Sequence, residues 1–354
     1  MTLRRKSWIR VAGLGALILP SLVVSTLLGA LAGGSRGTAL AQPGPPQAPT
    51  IQCALRGQSV MPANASIVDA LGRPIARFSG AATPLVVSDF PSDAQGTVRI
   101  ETGFGAGSFR IRGFLDARQL PLFAATKLSV TPGHVWIATN RSVALLGASS
   151  GRLRVEKKLS APLQQTFRAA GECSAFSLEP GTPAGYSPPG DARGYELKRE
   201  SLDLYGDPSA DTPVTTLHRS PSVEAVLFFS SEQKGALLHI EYHGDIVIDG
   251  WAKASALTAL PAGEIMDQLA PPTSQVSAPR IALPTQPKVV RPNREVPLRS
   301  VAKDSEPTIG VIEPGSETYV LDQVAGWANV LPKSMNVLPR ADGQFWAKSS
   351  DLGL

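Results

Sequence analysis

His239, Glu241 and His243 occupy alternate positions of one strand-like stretch, Leu238-His239-Ile240-Glu241-Tyr242-His243, with Asp245 and Asp249 close behind. Alternate residues of a strand project from one face, so two imidazoles and a carboxylate side by side suit a divalent metal; the competing reading is a solvated polar face. Other reactive types are poorly set for catalysis. Cys173-Ser174 and Ala148-Ser149-Ser150-Gly151 lack the strand-turn-helix context that exposes a nucleophile, and four histidines (His134, His218, His239, His243) leave few general bases. Gly103-Phe104-Gly105-Ala106-Gly107 runs into the strand-like Ser108-Phe109-Arg110-Ile111-Arg112 and not into a helix, so it reads as a hairpin turn and not a phosphate cradle. No cofactor is implied. The chain is expected not to be an enzyme, with metal-dependent chemistry on His239, Glu241 and His243 as the alternative.

The elements that must carry any site repeat. Gly250-Trp251-Ala252-Lys253-Ala254-Ser255-Ala256-Leu257 returns as Phe345-Trp346-Ala347-Lys348-Ser349-Ser350-Asp351-Leu352, and Gly113-Phe114-Leu115-Asp116-Ala117-Arg118-Gln119-Leu120 is a fainter copy. Each copy marks the closing segment of one supersecondary unit. Between them the dominant pattern has period two, as in Thr97-Val98-Arg99-Ile100-Glu101 and 238–243, which predicts half-buried strands. Helical spacing is scarce, with two short candidates at 263–269 and 161–170. The fold class is therefore all-β, built from small barrels or sandwiches.

Residues 1–41 read as an export signal: Arg4, Arg5, Lys6 and Arg10 precede an apolar run, and Ala39-Leu40-Ala41 offers a small-x-small cleavage site before Gln42. An uncleaved anchor is the alternative. Export by the general secretory route fits better than the twin-arginine route, because Ser7 stands where an apolar residue is wanted. The segment holds five of the 34 basic residues and no acidic ones, which leaves 29 basic against 29 acidic groups beyond it. A near-neutral mature chain gives no warrant for nucleic-acid binding through a basic field, and no membrane insertion is expected after cleavage. In an oxidising compartment Cys53 and Cys173 are expected to form a disulfide; two buried thiols are the alternative.

Prolines and glycines divide the chain into an N-terminal β body at 51–179, of one or two units, a second body at 195–260, a Pro-rich linker at 261–295 and a last body at 296–354. In the last body, Pro297-Leu298-Arg299-Ser300, Thr308-Ile309-Gly310-Val311-Ile312-Glu313-Pro314-Gly315, Tyr319-Val320-Leu321, Gly326-Trp327-Ala328-Asn329-Val330 and Phe345 to Leu352 follow one another at spacings that resemble the bacterial Src-homology-3 type (SH3-like) domain. The 195–260 body resembles it less closely, since Leu237 to Tyr242 stands where a Gly-Trp pair is expected, and the N-terminal region less again. The resemblance implies three or four SH3-like β-barrels. It also implies shallow aromatic grooves for a cell-wall polymer (peptidoglycan) or an envelope protein partner, in the periplasm or at the cell envelope. Tyr319, Trp327, Trp346 and Trp251 are the candidate ligand-binding residues, the two closing tryptophans, Trp251 and Trp346, doubling as barrel filling. A structural component of an envelope assembly is the rival function.

Overall fold

The computed structural model describes residues 50–93, 95–104, 108–182, 185–261 and 287–354. The expected export signal, the helix candidate at 263–269 and most of the expected linker lie outside the described residues. The described residues belong to one compact unit, Ala48–Leu354, whose regular structure is β-strand apart from four short 3-10 turns among the described residues. No helix among the described residues is long and apolar enough to cross a membrane. The helix candidate at 161–170 is instead the strand Gln165–Gly171, in which Phe167 is buried between outward Thr166 and Arg168 and every residue pairs with Arg152–Leu159 or its continuation. That alternation is the period of a strand and not of a helix.

One order of elements occurs four times among the described residues. A short opening strand is followed by a two-stranded arm, a three-stranded meander and a single 3-10 turn. In the first unit these are Leu55–Val60, the arm Ser66–Val68 with Pro74–Phe78, the meander Ala82–Ser88, Thr97–Thr102 and Phe109–Asp116, and the turn Ala117–Gln119. In the second they are Leu122–Ala124, Leu128–Thr131 with Val135–Ile137, then Ser142–Ser149, Arg152–Leu159 and Gln165–Gly171, and Cys173–Ala175. In the third they are Arg193–Leu197, Ser201–Leu204 with Thr215–His218, then Val226–Lys234, Leu237–His243 and Ile246–Lys253, and Ala254–Ala256. In the fourth they are Lys288–Val290, Val296–Arg299 with Thr308–Ile312, then Thr318–Val324, Trp327–Pro332 and Phe345–Lys348, and Ser349–Leu352. In each unit the opening strand pairs antiparallel with the first meander strand. In the second and third units a two-residue strand after the turn (Phe176–Ser177, Thr258–Ala259) returns to the opening strand.

Among the described residues no sheet closes on itself, so the expected barrels are not closed hydrogen-bonded cylinders there. The reason is that arms are shared between units. Thr308–Ile312 of the fourth unit pairs with Phe109–Asp116 of the first, and the first unit's Pro74–Phe78 pairs with Val337–Pro339 of the fourth, which joins both into a 13-stranded sheet. Likewise Val135–Ile137 of the second unit pairs with Ile246–Lys253 of the third, while Gln164 N–H donates to His218 O at 2.9 Å and Ser220 N–H to Pro162 O at 2.8 Å in the other direction. The sheets thus cross the boundaries marked by prolines. The first and fourth units pair although the second and third lie between them in sequence.

Strand alternation puts one face of each meander into the core. Phe78, Phe228 and Phe345 are fully buried, and the Phe109 and Phe345 rings meet at 6.2 Å across the first and fourth units. Cys53 and Cys173 are disulfide-bonded, tying the segment before the first opening strand to the 3-10 turn of the second unit across 120 residues. Beside it Gln58 N–H donates to Glu179 Oε1 at 2.6 Å, capping an edge strand that would otherwise present a free donor.

Candidate binding faces

The repeated phrases fall at one structural position. Phe114, Trp251 and Trp346 each lie three residues before their 3-10 turn, on the last meander strand, and each pairs with its own arm, at Val68, Tyr205 and Arg299. Residues opposite one another in a ladder share a face, so the register defines rows across the sheet.

On the fourth unit three rows cross the sheet, each passing through a buried residue of Trp327–Pro332: Leu331 is 3%, Asn329 6% and Trp327 9% exposed. Val289, Tyr319 and Leu331 form the first; Asp322, Asn329, Trp346 and Arg299 the second; Val324, Trp327 and Lys348 the third. A bulge between Val320 and Asp322 keeps the polar pair Asp322 and Asn329 in register with Trp346. Val289 is 43% and Val324 52% exposed, flanking half-buried Tyr319 and Trp346. Trp327 is only 9% exposed, with the Lys348 ammonium 5.8 Å from its ring centroid and Lys348 held by Asp304 at 2.7 Å. Its ring therefore fills more than it displays, whereas Tyr319 and Trp346 have surface to offer.

The third unit repeats these rows. Phe229, Glu241 and Asp249 correspond to the first; Glu232, His239, Trp251 and Tyr205 to the second; Lys234, Leu237 and Lys253 to the third. A bulge follows Phe229 as one follows Val320. Leu237 stands where the fourth unit has Trp327. Trp251 is 7% exposed, covered by the His239 ring at 4.9 Å and the Lys234 ammonium at 5.0 Å. His239 Nε2 is 2.7 Å from Asp249 Oδ1, and the His243 ring stacks on Tyr186 at 3.6 Å. Burial of the His243 imidazole outweighs the nearby Glu241 charge and lowers its pKa, favouring the neutral ring. Among the described residues no three histidine, cysteine or carboxylate side chains are grouped to hold a metal ion. His239, Glu241 and His243 do share one face, as their spacing predicts, but each is engaged within the protein.

No protein-family model, curated protein or solved structure matches this chain.

The first unit carries the same row with Arg99 opposite Phe114, the guanidinium 5.9 Å from the ring and 3.2 Å from Asp89. In the second unit the equivalent position is Ala170, opposite Arg154 and, past a bulge, Gly147. Here the first unit closes over the Gly147 end of the row. Arg154 donates to Ser92 O at 2.9 Å, and the Ser92 backbone lies so close to Gly147 (φ 131°) that no side chain fits between them. The missing aromatic explains why sequence comparison overlooks this copy.

Proposed function

We propose that the protein is an exported, non-enzymatic binding protein made of four SH3-like units, which holds a cell-wall polymer or an envelope protein partner through shallow aromatic faces. The observation that carries this is the fourth unit's face, where half-buried Tyr319 and Trp346 lie in consecutive rows beside the exposed Asp322 carboxylate. Aromatic surface beside hydrogen-bonding groups suits an extended ligand with apolar ridges and polar edges. The element order of opening strand, arm, meander, 3-10 turn and closing strand supports the SH3-like assignment. The Cys53–Cys173 bond supports an oxidising compartment. Repetition adds to weak single faces through effective concentration.

A second function, as a structural part of an envelope assembly, is favoured by the arms, which are used for unit-to-unit pairing in both the first-fourth and second-third pairs. Co-sedimentation of residues 42–354 with purified sacculi at two salt concentrations separates the two. Retention is expected at both, and the variant Tyr319→Ala with Trp346→Ala is expected to lose roughly 30-fold or more, at about 2 kcal/mol for a single buried aromatic anchor. No retention of the wild-type chain at either salt would remove the cell wall as ligand and leave the protein partner.

A further inference from the structure

On the third unit the first row is already occupied. The segment 185–192, which connects the second unit to the third, lays Tyr186 across it. The ring stacks on His243 with 6° between planes and lies 5.9 Å from Phe229, and the hydroxyl donates to Glu241 Oε2 at 2.7 Å. Burial and the Glu241 hydrogen bond both raise the Tyr186 hydroxyl's pKa, which keeps it a donor. Gly185, Ser187, Pro189, Gly190 and Asp191 are exposed, and Pro188 and Ala192 are half-buried. The strap is therefore attached chiefly through one aromatic side chain.

We propose that this row is a second binding site, taking an extended peptide segment that bears an aromatic side chain with a hydrogen-bond donor, and that Tyr186 is its built-in occupant. The proposal rests on the binding role above and adds a ligand class and a gate. The chemistry is set by three groups: the His243 ring for stacking, Phe229 as a wall, and the Glu241 carboxylate as acceptor. Among the described residues no ring stacks on the corresponding positions of the fourth unit, Tyr319 and Leu331, and Leu331 stands where Glu241 supplies the carboxylate. The two faces thus differ in selectivity as well as in access. A tethered side chain competes at high effective concentration, so an outside segment binds well only when Tyr186 has left.

A fluorescent peptide with the sequence of residues 185–192, Gly-Tyr-Ser-Pro-Pro-Gly-Asp-Ala, is the probe, titrated by anisotropy against the chain 42–354. It is expected to bind Tyr186→Ala at least 10-fold more tightly than wild type. Tyr186→Phe, which keeps the stack and loses the hydroxyl, should fall between them, and adding Glu241→Gln to Tyr186→Ala should weaken the probe again. Equal binding to wild type and Tyr186→Ala, or no binding to a Tyr186→Ala chain whose circular dichroism matches wild type, would overturn the proposal. Sacculus retention is a separate readout: a chain that ignores sacculi while Tyr186→Ala takes the peptide refutes the cell-wall ligand and supports this site.

Discussion

Replacing Cys53 and Cys173 together by serine is expected to lower the stability of the chain by about 5 kcal/mol, read as a shift of the denaturant midpoint. The bond closes a loop with a sequence separation of 120 residues, and in the chain-entropy model that removes about 5 kcal/mol of disorder from the unfolded state. The location adds to the loss. The disulfide joins the first and second units, which the Gln58 to Glu179 hydrogen bond and the Arg154 to Ser92 contact also link. Hydrogen exchange should therefore rise first in Leu55–Val60 and in Phe176–Ser177. Equal midpoints for oxidised wild type and the double serine variant would contradict a structural role for the bond.

The second large effect is expected at Gly310. It lies in the fourth unit's arm, paired with Ile111 of the first, and a methyl group there would run into the backbone carbonyl of Arg110. Backbone cannot move aside as a flexible side chain can, so Gly310→Ala must push the two strands apart. An overpacked site of this kind costs about 3 kcal/mol. Glu313 N–H and Ser316 Oγ, both donating to Ser108 O at 3.0 Å, lie at the same seam and would be strained with it. The control is Gly190→Ala, which has open space around it and should change stability by less than about 0.5 kcal/mol. Loss of exchange protection confined to 109–112 and 308–312 is the expected signature. Unchanged stability in Gly310→Ala would mean that the first and fourth units are not joined along these strands.

Much of the local structure is legible in the residues. Alternation in 97–101 and 238–243 marks strands, and the phrases at Phe114, Trp251 and Trp346 mark one position of one repeated unit. What is hidden is hidden for physical reasons. Ala170 holds the same position with no aromatic, so the second unit leaves no phrase to match. The pairing of Thr308–Ile312 with Phe109–Asp116 joins residues about 200 apart, and a strand edge carries no local mark of its distant partner. Tyr186 lies in a stretch rich in proline and glycine, which reads as spacer, and its use of His243 and Glu241 depends on a face formed only when the third unit folds. Trp327 shows the converse: the SH3-like resemblance implies a groove residue, while the folded unit places Lys348 over its ring.

The most direct measurement of the central claim is calorimetric titration of residues 42–354 with soluble glycan-peptide fragments released from sacculi, beside Trp346→Ala and Trp327→Phe. Binding by wild type, a roughly 30-fold loss in Trp346→Ala and little change in Trp327→Phe is the predicted pattern, because Trp346 has surface to offer and Trp327 fills. Equal affinity in wild type and Trp346→Ala, or no heat of binding with wild type at all, would contradict a cell-wall ligand on the fourth unit's face.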